Sequence, residues 1–256
     1  MPKKNNDSKA SYISIHSYVD GFSFFTPNGA DFVQSTSFDA ETKQRFESLI
    51  HYSPEKKSDH ILWVCHDGPA LFIPQSEFVA NRLEDYWALF AARNKANSLA
   101  FDQNEAAGFN ILYEERSNLM AYLKSHAKTV ERTHYLHWLY HQTAETLTQF
   151  TPNKIYIHFN KKSFDILVFK NNQLELTNTF ELVSEETFLY FLFYVVEQMQ
   201  WEPDTFTLLF LGQFDTFSAY YEASRSYQNN IEFVNADQTR LEAEQHPAPF
   251  LATAFL

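Results

Sequence analysis

Ten histidines and one cysteine mark the places where this chain could do chemistry. His134, His137 and His141 follow a spacing of i, i+3 and i+7, which on a continuous helix sets three imidazoles on one face. Such a face can ligate zinc or nickel, so the three are weak metal candidates. No cysteine or acidic partner is fixed beside them, and an ordinary histidine-rich surface is the expected role. Cys65-His66-Asp67-Gly68 offers a nucleophile next to a base. Alternation along a strand sends Cys65 and His66 to opposite faces, so the two cannot form a dyad, and no catalytic residue is expected here.

The elements that must position these groups repeat. Ser11–Gly68 reads as hairpin, third strand, helix and strand, and Lys154–Gly212 reads the same way. Tyr12–Tyr18, Phe22–Thr26 and Phe32–Phe38 are strands, with Asp20-Gly21 as the two-residue hairpin turn. Asp39 caps the first helix, and the strand Ile61–Cys65 follows it. In the second half the strands are Ile155–Phe159, Phe164–Lys170 and Leu174–Phe180. Ser184 caps a helix over Glu185–Gln200, and Thr207–Leu211 is the next strand. Between the halves the spacing predicts a helix from Ser76 to about Arg93, strands Ser98–Asp102 and Phe109–Tyr113, and helices Ser117–His126 and His134–Phe150. A helix near Thr216–Arg225 and a strand Ile231–Val234 complete the second half.

The fold class is α/β, with duplicated subdomains forming two lobes of mixed sheets flanked by helices. Residues 1–10 are expected to be a flexible leader, 11–150 a first lobe with inserted helices, and 151–256 a second lobe. The run Phe188–Val196 is apolar all round its helix and must be covered on more than one side. Trp63, Trp87, Trp138 and Trp201 are expected as core anchors.

Composition narrows the function. The net charge of −12 repels polyphosphate, so nucleic acid is not an expected partner. One cysteine precludes an internal disulfide and suits a reducing compartment, and no apolar run is long enough to span a membrane. A cytoplasmic location without direct membrane insertion is expected. Five glycines, about 2% against a usual ~7%, leave little backbone able to wrap a phosphate.

Ile157-His-Phe-Asn-Lys-Lys-Ser-Phe-Asp-Ile-Leu-Val-Phe169, followed by Lys170-Asn-Asn-Gln-Leu174, resembles the second phosphate hairpin of the actin–hexokinase–Hsp70 superfamily. The resemblance places Ser163 on a threonine of that loop and Asp165 on its second carboxylate. Val19-Asp20-Gly21 sits where the first phosphate hairpin falls, and Leu209-Phe-Leu-Gly212-Gln213 resembles the strand leading to the adenosine-site glycines. The apolar ending Pro249–Leu256 resembles that of the pilus-assembly branch and implies a tail returning to the first lobe. In layout the chain is also similar to an uncharacterised bacterial family with an actin-like ATPase fold, which implies that the duplicated subdomains are RNase H-like.

The departures bear on activity. His158 stands where the family has its leading aspartate, and Asn160, Lys161 and Lys162 stand where it has glycines. Phosphate loops need backbone N–H groups facing the anion, and side chains there block that approach. The expectation is a non-catalytic scaffold or adaptor for a protein or peptide, monomeric or homodimeric, with no cofactor. Asp20, Gly21, Ser163, Asp165 and Gly212 would be a vestigial nucleotide cleft, with Lys161 and Lys162 solvated at the hairpin tip. The alternative is a residual ATPase or sugar-kinase-like enzyme that holds ATP and magnesium through those residues.

Overall fold

Turn chemistry and alternation build the first sheet of the computed structural model, which describes residues 13–26, 29–53, 57–105, 107–144, 151–160, 162–211 and 218–234. Ile13–Tyr18 (β1) returns as Gly21–Thr26 (β2) with Tyr18 opposite Gly21. The turn residues are therefore Val19 and Asp20, one position earlier than the sequence suggests. Gly21 answers a need for space. A Cβ there would lie 2.6 Å from the Phe32 ring and 2.8 Å from the Val33 carbonyl oxygen. Gly21→Ala is expected to cost about 1–3 kcal/mol through overpacking. Urea denaturation reads this directly, and an unchanged midpoint would contradict it.

The third strand, Gly29–Val33 (β3), ends earlier than its apolar pattern suggests. The Ser35 hydroxyl donates to the Ser37 carbonyl and turns the chain, a local alternative to the strand ladder. Phe38 is thereby freed to pack in the core against Phe22. Asp39 caps Ala40–Leu49 (α1), its carboxylate accepting from the Thr42 amide at 2.9 Å. Ser58–Cys65 (β4) then runs parallel to β1 with Ile13 opposite Ile61.

An insertion follows. Ala70–Pro74 (β5), Ser98–Asn104 (β6) and Phe109–Glu115 (β7) form a three-stranded antiparallel sheet in the order β5-β7-β6. Its helix, Leu83–Phe90 (α2), is half the length expected. Phe78 is extended, and the Tyr86 hydroxyl ties the Val79 amide and the Glu77 carbonyl into a loop. Trp87, Ile73 and Leu112 make a small separate core there.

Ser117–His126 (α3) leads into Ala127–His134 (β8), a strand that the polar sequence Lys128–Arg132 concealed. It pairs in parallel with β4 at the sheet edge, so polar residues can face solvent. Tyr135–Ala144 (α4) then carries the chain to the second sheet.

Lys154–Phe159 (β9), Ser163–Lys170 (β10) and Gln173–Glu181 (β11) form an antiparallel meander. Its turn at Asn171-Asn172 has φ of 52° and 64°, the left-handed pair that tight hairpins favour. Glu185–Met199 (α5) is capped by the Ser184 side chain, and Thr207–Leu211 (β12) runs parallel to β9. Ser218–Arg225 (α6) precedes Ile231–Val234 (β13). The two large sheets have the orders β3-β2-β1-β4-β8 and β11-β10-β9-β12-β13, with matching strand directions. The topology is duplicated.

Burial explains the apolar runs of the second sheet. Ile155, Ile157, Phe164, Ile166, Leu208 and Phe210 face α5 and α6. Tyr156, Leu167, Phe169, Leu209 and Leu211 join the core of the first half, which includes Leu136 and Leu139 of α4. The helix α5 is less covered than its sequence implies. Phe188, Leu192, Val195 and Val196 are buried, whereas Tyr190 is 64% exposed. Tyrosine tolerates that because its hydroxyl stays wet. Among the described residues, no helix is long and apolar enough to cross a membrane. The apolar C-terminal run 249–256 and the leader 1–10 lie outside the described residues.

Candidate functional site

The two hairpins singled out by the sequence meet across the lobes, through aromatic rings and one carboxylate. His66 follows β4, and its amide donates to the Ser17 carbonyl at 2.8 Å, extending the β1–β4 ladder by one residue. That hold places its ring between Tyr18 and Tyr135, at centroid distances of 4.4 and 4.6 Å. The Tyr135 contact is a parallel stack at 9°. His16 adds a third neighbour, its Nδ1 lying 3.2 Å from His66 Nε2.

Tyr135 opens α4, and its hydroxyl donates 2.7 Å to Asp165 Oδ1 on β10. Strand register then supplies the rest of the carboxylate's partners. Asp165 stands opposite His158 on β9 and opposite Thr179 on β11. Thr179 Oγ1 donates to Oδ1 at 2.6 Å, His158 Nδ1 lies 2.9 Å from Oδ2, and Asn160 Nδ2 donates to Oδ2 at 3.1 Å. Asp165 and His158 are both fully buried. Burial, reinforced by the Asp165 charge, raises the Tyr135 hydroxyl well above the usual phenol range, so it stays a donor.

These residues do not fit magnesium nucleotide. An ionised carboxylate has about four acceptor sites, and four described side chains occupy them. Magnesium demands hard oxygen ligands in near-octahedral array, and an imidazole stands at His158. The Tyr135 and His66 rings also stand between the hairpins.

Around that bridge the other expected residues scatter. Asp20 lies at the rim, where Lys162 Nζ reaches its Oδ2 at 3.3 Å. Lys162 thus pairs across the lobes instead of being simply solvated, although its side chain is 71% exposed and such a pair contributes little. Gly21 packs against Phe32, as described. Ser163 begins β10 opposite Glu181, half-buried. Gly212 and Lys161 lie outside the described residues.

A second carboxylate network supports the first lobe. Asp67 accepts from Arg116 Nη2 at 2.8 Å and from Ser17 Oγ at 2.5 Å, and Ser17 in turn accepts from Trp63 Nε1 at 2.8 Å. Arg116 also donates to the Tyr18 carbonyl and lies over the Phe22 ring. Burial pushes the Asp67 carboxyl above its ordinary value, while the Arg116 charge opposes that rise. Asp102 ties the inserted sheet to β8, accepting from Tyr113, Thr133 Oγ1 and the His134 amide.

The histidine trio does not converge. His134 is the last residue of β8, not part of α4, so the helical spacing fails by one residue. Its ring is buried against Tyr113 and Tyr135, and burial lowers its pKa to about 3. Among the described residues, no three histidine, cysteine or acidic side chains are placed to share a metal. Cys65 is buried, and burial raises its thiol well above the usual range.

Tyr135, Thr179 and Arg116 are among the participants that sequence reasoning missed. Thr179 was within reach, because counting outward from the Asn171-Asn172 turn brings it near Asp165. Tyr135 and Arg116 carried no local signal.

The chain belongs to the family described as protein of unknown function (DUF3822), which residues 3–231 match. No curated protein matches the sequence. A Bacteroides thetaiotaomicron protein with actin-like ATPase fold and unknown function superposes with a TM-score of 0.73 at 17% identity, over 91% of this chain and 93% of that one. The PilM-PilN type IV pilus biogenesis complex contains a chain that superposes at 0.55 and 9% identity, over 97% and 98% respectively. The chain has the actin-like ATPase fold.

Proposed function

We propose that this member of the family is a non-catalytic scaffold or adaptor whose interlobe cleft is closed by its own side chains, and whose task is to bind a protein or peptide in the cytoplasm as a monomer or homodimer. The observation that carries the reading is the saturation of Asp165 by Tyr135, Thr179, His158 and Asn160. A carboxylate with no free lone pair can neither hold a metal nor orient an attacking water. The Tyr135–Asp165 bond instead ties the first residue of α4, which directly follows β8 of the first sheet, to the second sheet. A junction tied in this way suits a binding platform, since less order is lost on association. The similar PilM fold is known in a complex with PilN, which supports a protein partner for this fold.

Phosphate release from ATP with magnesium tests the non-catalytic half of the reading. The expected result is release no faster than in buffer, for wild type and Asp165→Asn alike. Turnover present in the wild type and lost in Asp165→Asn would overturn it in favour of a residual ATPase.

A further inference from the structure

The helix α4 carries a second pair of polar groups, one that the interlobe bridge does not use. His137 and His141 are one helical turn apart, and their Nε2 atoms lie 3.1 Å from each other. Their ring centroids are 4.7 Å apart with planes at 65°. Two nitrogens bound to one ion at about 2.0–2.1 Å sit roughly 2.9 Å apart at a square angle and roughly 3.4 Å apart at a tetrahedral one. The observed separation falls between those limits, so the two nitrogens already have the spacing that one shared ion requires.

We propose that His137 and His141 chelate one divalent transition-metal ion of the imidazole-preferring class, read here with Zn2+ and Ni2+, water completing the coordination. The chemistry of the donor set selects that class, because neutral imidazole suits zinc and nickel and leaves magnesium to oxygen ligands. His141 is exposed and His137 half-buried, which leaves the ion a path from solvent. Binding moves the hydrogen now between the two Nε2 atoms to an Nδ1, so that each ring presents an Nε2 lone pair to the ion. Among the described residues His137 Nδ1 has no hydrogen-bond partner, so the outer-shell bond that tightens structural zinc sites is not seen there and the ion should exchange readily.

Calorimetric titration of the full chain with zinc chloride, then with nickel chloride, tests the site. The expected result is one ion per chain, with affinity at least tenfold weaker in His137→Gln and in His141→Gln, and no uptake of magnesium. Circular dichroism checks that the variants fold, and the exposed His141→Gln alone carries the test if His137→Gln does not. Chemical shifts of the two imidazoles should move on adding zinc. Failure to take up either ion would overturn the proposal. So would uptake unchanged in the double variant, which would reveal adventitious binding by other histidines.

Discussion

Asp165→Ala is expected to destabilise the protein by about 3–5 kcal/mol, the cost of emptying the centre of a buried charged network. The loss has two parts. The carboxylate's own hydrogen bonds vanish, and Tyr135, Thr179, His158 and Asn160 are left with polar atoms aimed at a cavity. Each buried donor without an acceptor costs roughly 1–3 kcal/mol, and water can re-enter to satisfy some of them. Tyr135→Phe removes one donor from a carboxylate that keeps three, so its expected cost is only about 1 kcal/mol. Urea denaturation of both variants measures the contrast. A loss below about 1 kcal/mol for Asp165→Ala would show that the carboxylate does not organise the lobe junction.

Arg116→Met should cost about 2–4 kcal/mol at neutral pH and much less in acid. Methionine keeps an apolar stem over Phe22 but leaves Asp67, with 14% of its side chain exposed, without its cation. The pH dependence follows from the direction of the shift. Burial already raises the Asp67 carboxyl in the folded protein, and Arg116 is the main force opposing that rise. Removing the guanidinium lifts it further. A group whose folded pKa is raised contributes stability that is fully present below its unfolded value and lost as pH rises through the folded value. The variant's deficit should therefore be small below about pH 4, the unfolded carboxyl range, and grow toward neutrality. Denaturation midpoints at acid and neutral pH read this out, and a deficit constant with pH would contradict the assignment.

The duplicated fold was legible because both copies write their elements in strong local signals. Ser117–His126, Thr207–Leu211 and Ile231–Val234 occur with the expected bounds, and Asp39 and Ser184 both cap helices. The strand β8 was not legible. Its alternating polar residues suit a sheet edge, and only pairing with β4 makes it a strand. The helix expected over Ser76–Arg93 was cut short by Tyr86, whose hydroxyl holds the loop by a contact that spacing does not reveal.

The site was half legible for a related reason. Asp165 stood out through a family pattern, whereas its partner Tyr135 lies 30 residues away on a helix. Such a meeting is made by tertiary packing and leaves no local trace. The histidine trio fails on a boundary of one residue, because β8 runs through His134 before α4 begins. What remains, His137 with His141, is the part of the pattern that one helical turn guarantees.

Thermal unfolding with and without magnesium ATP tests the central claim most directly, because it reads binding whether or not chemistry follows. A nucleotide at a hundred times its Kd would stabilise the folded protein by about 2.7 kcal/mol, and a shift of several degrees would show it. A cleft closed by Tyr135, His66 and a saturated Asp165 predicts no change in Tm at millimolar magnesium ATP. A saturable rise in Tm that Asp165→Asn abolishes would contradict it.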